Sequence, residues 1–156
     1  MNAAEIKALL ELEPLPGEGG YYREMYRSHL RVGERSASTA IYYFLTPETF
    51  SAMHRLPFDE VFHFYLGDPV EQLQLRADGT AGWHLLGSDL RVDQRPQILV
   101  PAGSWQGSRL VSGGGLALMG TTMAPGFEFK DYEAGEAAVL SALWPSHAES
   151  IRALTH

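Results

Sequence analysis

The sequence predicts a mainly β fold, a sandwich or barrel of many short strands with helical segments only at its two ends. Three observations predict it. Segments rich in β-branched and aromatic residues recur at intervals of about 8–12 residues with turn residues between them. The chain carries 16 Gly and 9 Pro, spread along its length and not gathered in a linker. Helical spacing of apolar residues occurs only near the two termini.

The first element is a helix over residues 3–11. Ile6, Leu9 and Leu10 fall at i, i+3 and i+4 and make one apolar stripe. Asn2 is placed to cap it, with Glu5 three residues on as in a capping box. Pro14 and Pro16 prevent its continuation. The period then changes to two over 22–27. Residues 39–46 (TAIYYFLT) read as a buried strand, as do 61–66. A strand over 70–76 leads into Asp78-Gly79, the signal of a tight hairpin. Strands over 82–86, 97–100, 108–112 and 116–123 follow, and Gly113-Gly114-Gly115 reads as a hairpin loop between the last two. Residues 136–143 and 146–154 return to helical spacing, divided by Pro145.

Length and composition bound the function. A chain of 156 residues predicts one domain, 1–156, with a core that needs no staples. The formal charge of −7 argues against nucleic acid or an anionic membrane as partner. With no cysteine, disulfides, thiolate catalysis and thiolate metal sites are excluded. No apolar run is long enough to span a bilayer, and the Glu-rich start does not read as a signal peptide. The expectation is a soluble, cytoplasmic protein.

Two stretches carry chemical information. His54-Arg-Leu-Pro-Phe-Asp59-Glu60-Val-Phe-His63 feeds a polar segment into an apolar strand ending at Gly67. Farther on, Pro101-Ala-Gly103-Ser-Trp105-Gln106 closes another apolar strand in a tight turn followed by an aromatic residue and an amide. Together they resemble the two motifs of the cupin superfamily. Glu60 and Gly67 have that family's spacing, and His54 falls on its first His. Leu56 holds the second His position and Pro47 the leading Gly. In the second motif Pro101 and Gly103 fit, Gln106 stands for His, Leu110 for Asn and Arg95 for the first Gly. The chain is most similar to the Cupin_5 branch, known by a domain-of-unknown-function label. That likeness also rests on Met53-His54-Arg55-Leu56, Gly67-Asp68-Pro69 and Gly120-Thr-Thr-Met-Ala-Pro125-Gly126-Phe127, and it covers roughly residues 3 to 154. The resemblance implies a double-stranded β-helix, the RmlC-like jelly-roll barrel, and a homodimer. It implies no particular activity.

A cupin metal site usually takes three His and one Glu. Here only His54 and Glu60 remain, and Gln106 adds a neutral amide. Transition-metal sites usually need three or more protein ligands, so no cofactor is expected. If a metal binds at all, His54, Glu60 and Gln106 would hold a divalent ion weakly. In a strand, Glu60 and Phe62 share one face and His63 the other, so His63 is expected outside, hydrogen-bonded.

The expected site is therefore metal-free, at the barrel mouth, with a small-molecule ligand. His54 is the candidate general acid or base, with Glu60 orienting its ring. Phe62 and Trp105 are placed to stack a planar ring, and Gln106 to bond an amide or hydroxyl. Tyr43 and Tyr65 are proton-donor candidates by proximity in sequence alone. If the protein is an enzyme, it resembles the isomerases and epimerases of the sugar-nucleotide cupins. Two other readings stand beside this one: a non-catalytic sensor or binding protein, and a metal-dependent cupin with a reduced ligand set. The 22–27 strand is expected to pair across the homodimer and cover an exposed edge.

Overall fold

Two antiparallel sheets face each other across an interior that is apolar at one end and polar at the other. The computed structural model describes residues 1–156. In chain order the elements are α1 (Ala3–Leu9), β1 (Glu13–Pro14), β2 (Tyr21–Arg27), β3 (Arg31–Val32), β4 (Arg35–Ser36), β5 (Thr39–Leu45), β6 (Ser51–Arg55) and β7 (Glu60–Gly67). Then come β8 (Val70–Leu75), β9 (Ala81–Leu86), β10 (Gln97–Val100), β11 (Trp105–Leu110), β12 (Ala117–Met123), β13 (Glu133–Ala134), α2 (Ala137–Leu143) and α3 (Ala148–Ala153). One sheet runs β1-β2-β5-β12-β7-β10, the other β13-β6-β11-β8-β9, and β3-β4 is a separate ribbon. The predicted jelly-roll barrel with helices at its ends is the fold observed.

The five-stranded sheet is covered on both faces, and α1 covers part of the outer face of the six-stranded sheet. Tyr43, Leu45, Phe62, Ile98, Leu110 and Met119 belong to the apolar cluster between the sheets. Leu73 and Leu75 turn the other way and pack with Met53 against Leu140, Ile151 and Leu154 of the C-terminal helices. Truncating Leu73 or Leu75 to Ala there costs about 2–5 kcal/mol by the usual measure of buried leucines. At the other side of the molecule, Ile6 of α1 packs on Phe44 and Leu118. Asn2 and Glu5 form the expected capping box, with Glu5 N donating to Asn2 Oδ1 at 2.9 Å and Asn2 N to Glu5 Oε2 at 2.7 Å.

The structure alters three local expectations. Residues Ser51–Arg55, where no strand is expected from the sequence, form β6 between β13 and β11. The strand expected over 108–112 begins at Trp105, which puts Gln106 within it. Gly113-Gly114-Gly115 is not a hairpin loop, because β11 pairs with β6 and β8 whereas β12 pairs with β5 and β7. It is a crossover between sheets, the kind of connection a jelly roll requires. The Asp78-Gly79 hairpin is present: β8 pairs with β9, and Thr80 N donates to Asp78 Oδ1 at 2.9 Å.

Candidate functional site

The polar end of the barrel is assembled from both sheets and one loop. On the inner face of the five-stranded sheet, His54 of β6 lies directly across from Gln106 of β11, and Gln106 across from Gln74 of β8. Glu60 opens β7 in the opposite sheet, between Val100 and Met123. The two sheets are tied by Gln106 Nε2, which donates to Glu60 Oε1 at 2.8 Å. Gln74 Nε2 donates to Gln72 Oε1 at 2.9 Å and to the Leu99 carbonyl at 3.0 Å, and Gln72 Nε2 to Ser108 Oγ at 3.3 Å. The inner wall of this sheet is thus a row of buried amides with a hydroxyl at its end.

Glu18 completes the site from the loop between β1 and β2. His54 Nε2 stands 2.8 Å from Glu18 Oε1. The loop is pinned to the barrel: Ala52 N donates to the Glu18 carbonyl at 2.8 Å, and the Tyr43 hydroxyl to the Gly19 carbonyl at 2.7 Å. Gly20 sits at φ +73°, and a Cβ there would stand 2.8 Å from the Tyr43 hydroxyl and 3.0 Å from the Phe44 carbonyl oxygen. Only glycine suits both the dihedral and the space.

The charges follow from these contacts. A carbonyl can only accept, so His54 Nδ1 donates to Ala52 O, 2.7 Å away. Burial pulls the His54 pKa down, but the charge and hydrogen bond of Glu18, together with Glu60 and the Ala52 carbonyl, outweigh it and raise it to about 9. At neutral pH the ring is an imidazolium donating from both nitrogens. Burial and the neighbouring Glu18 charge push the Glu60 carboxyl above its usual range, against the opposing pull of His54, Gln106 and Thr121. Tyr132 stacks on the His54 ring at 5.1 Å and 19°, and burial plus Glu18 raise its phenol to about 12. Gln106 Oε1 and the Tyr132 hydroxyl are buried without a partner in the chain.

A cavity of about 350 Å³ opens beside this cluster, with Glu18 and Glu60 in its wall. Leu15, Tyr22, Ile41, Leu56, Phe127 and Phe129 give it apolar and aromatic sides. Of the candidate catalytic and ligand-binding residues named from the sequence, Glu60 alone lines this cavity. His54 lies behind Glu18 and is 1% exposed, and Gln106 lies behind Glu60. Phe62 and Tyr43 are packed into the apolar cluster between the sheets. Trp105 corrects an expectation: one residue from Gln106, it takes the opposite face of β11, outside the barrel, where Arg55 covers its ring at 4.6 Å. Tyr65 is 51% exposed, its ring against Gly120 and edge-on to Tyr42. His63 faces away from the interior as expected, with Nε2 2.9 Å from Thr122 Oγ1.

Glu18 escaped the sequence reading. Its only signal is a lone carboxylate between glycines in Pro16-Gly17-Glu18-Gly19-Gly20. Arg23 and Arg27, which alternate on β2, are engaged by Glu11 and Glu24 at 2.9 and 2.8 Å.

The metal set that the cupin motifs imply does not fit these residues. An imidazolium with both N–H groups donating has no lone pair for a metal. Leu56 supplies no ligand atom, and Gln106 offers only a neutral amide oxygen. Nowhere do three or more His, Asp or Glu side chains converge to hold an ion.

Comparison with known proteins agrees with this architecture. The chain matches the family model described as Cupin superfamily (DUF985) over residues 4–135. A crystal structure of a Shewanella oneidensis protein is 34% identical, with a TM-score of 0.93 over 100% of this chain and 98% of that one. A hypothetical protein from Leishmania major is 31% identical, with a TM-score of 0.93 over 100% and 99% of the two chains. Oxalate decarboxylase from Bacillus subtilis shares 16% identity and a TM-score of 0.59, covering 92% of this chain and 37% of that one, a likeness of fold alone. None of the curated proteins matches. The strand order, the barrel mouth built around Glu60 and the family match over most of the sequence lead to one conclusion: this chain belongs to the cupin superfamily, in its DUF985 family.

Proposed function

We propose that this cupin binds a small polar molecule at its barrel mouth without a metal ion and moves a proton on it, in the manner of an isomerase or epimerase. The observation that carries the reading is a pair of carboxyl groups, Glu18 and Glu60, in the wall of one cavity with opposite backing. Glu18 accepts from the His54 imidazolium. Glu60 has its pKa raised by burial and by Glu18. Carboxyl groups held in such different surroundings take different roles. Glu18 takes a proton from a carbon next to a carbonyl, leaving the electron pair delocalised onto the carbonyl oxygen, and Glu60 holds the substrate in the cavity. The return of a proton to carbon gives the isomer. His54 positions Glu18 and does not itself touch the substrate.

The cavity suits a small ligand. At roughly 30 Å³ per water, about 350 Å³ equals about a dozen waters, a compound of similar atom count. Acidic walls oppose a diphosphate, so the reading departs from nucleotide sugars.

The test begins with a crystallographic soak of neutral, cationic and anionic fragments. Density is expected between Glu18 and Glu60. Each hit bearing a carbonyl is then incubated with the protein in D₂O and followed by proton NMR. Deuterium should enter the carbon beside the carbonyl, and Glu18→Gln should slow this by about 100-fold or more, within the usual range for a general base. Hits that bind and return unlabelled would make this a binding protein and end the catalytic reading. An empty cavity across the whole fragment set would end both.

A further inference from the structure

The charge of the cavity wall is not balanced within the chain. Four carboxylates, Glu13, Glu18, Glu24 and Glu60, line it against one cation, Arg23. Pairing removes part of the imbalance. Arg23 is 2.9 Å from Glu11, outside the lining. Glu24 accepts from Arg27 at 2.8 Å and Glu18 from His54 at 2.8 Å. Glu13, exposed at the rim, and Glu60, buried in the wall, have no ion-pair partner in the chain.

Glu60 is the more telling of the two. It is 7% exposed, and the side chains that bond to it, Gln106 at 2.8 Å and Thr121, are neutral. Behind it, Gln106 Oε1 is buried with no donor in reach. A carboxylate removed from water without a cation is strongly disfavoured. The nearest cation of the chain, His54, is already paired with Glu18 at 2.8 Å, and the Glu60 carboxylate borders an open volume in which a second cation would fit. The remaining walls suit an organic cation over a hydrated inorganic one. Phe127 and Phe129 meet edge to face at 5.2 Å, Tyr22 meets Phe129 at 6.4 Å, and ring faces attract ammonium groups. Leu15 and Ile41 add aliphatic surface for an apolar body.

Resting on the reading of this cavity as the ligand site, we infer that its ligand is a small organic ammonium ion, with nitrogen on Glu60 and an apolar body against Phe127 and Phe129. The positive group enters past Glu13 and replaces the water around Glu60. Gln106 keeps the carboxylate oriented toward it.

Three probes of one shape test this by titration calorimetry at neutral pH: 2-phenylethylammonium, 2-phenylethanol and phenylacetate. Hydrogen bonds to a charged group support a preference of about 10- to 100-fold for the ammonium over the alcohol, with phenylacetate weakest. Glu60→Gln keeps the side-chain shape and should bring ammonium and alcohol within about threefold of each other. Glu13→Gln, at an exposed position with no folding role, should reduce the ammonium preference by a smaller factor. The alcohol or phenylacetate binding as tightly as the ammonium to the unaltered protein overturns the inference, as does an ammonium preference that survives in Glu60→Gln. Failure of all three probes to bind also overturns it. The fragment soak separates these failures from that of the underlying reading: density from fragments of any charge keeps the cavity as the ligand site, and an empty cavity removes it.

Discussion

Replacing Glu18 by Gln should remove most of the pH dependence of stability that His54 confers. In the folded protein His54 titrates near 9, against 6.5 for the free side chain. A raised histidine pKa means that the folded state holds the proton more tightly than the unfolded chain. Its contribution is fully present below pH 6.5 and is lost as pH rises through 9. At roughly 1.36 kcal/mol per pH unit the difference amounts to about 3 kcal/mol. Burial moves the Tyr43 and Tyr132 phenols upward, away from this window. Glu18→Gln removes the largest of the effects that offset burial, so the His54 pKa falls toward its ordinary value. Urea unfolding of both proteins at pH 6, 7.5 and 9.5 makes the comparison, with the difference in unfolding free energy cancelling groups common to both. The advantage of the unaltered protein should be about 3 kcal/mol greater at pH 6 than at pH 9.5. A difference that stays flat across that range would refute the ion pair as the source of the His54 shift.

Two other perturbations test the surroundings of the site. Gly20→Ala forces a side chain into the left-handed region at φ +73° and into Tyr43 and the Phe44 carbonyl. It should cost about 2 kcal/mol or more in urea unfolding, and a cost near zero would mean that the Glu18 loop is not held as described. On the assembly, we propose a homodimer through the outer edge of β2, because β1 covers only Tyr21 and Tyr22 and leaves the edge from Arg23 to Arg27 open. Sedimentation velocity at micromolar concentration should give the mass of two chains, and a monomer there overturns the proposal.

The parts of the fold visible in the sequence are those with a local cause. Alternation and β-branched runs marked β5, β7, β8 and β12, Asp78-Gly79 marked its hairpin, and Asn2 with Glu5 marked the start of α1. The strand β6 was not visible, because Ser51-Ala52-Met53-His54-Arg55 has little β preference of its own. It is a strand because β11 and β13 pair with its two edges and the helices cover Met53. The same tertiary cause limited the site. Glu60 and Gln106, which meet at 2.8 Å, were legible through motif spacing. Trp105 was misplaced because the start of β11, and hence the parity of its side chains, lay three residues earlier than the pattern indicated. Glu18 had no periodic or motif context, since its loop reaches His54 only after the barrel closes.

The buried amide row of β8 and β11 has a consequence for how the barrel tolerates change. Gln72, Gln74 and Gln106 alternate with Leu73, Gly107 and Leu75, so the two faces of these strands are chemically opposite. A slip of one residue in β8 would turn two leucines toward Glu60 and thrust two amides beneath the C-terminal helices. Neither environment would accept the exchange. The glutamines therefore act as an alignment key for the barrel, and a single loss in the row is better repaired by a matching change on the adjacent strand than by an aliphatic substitute.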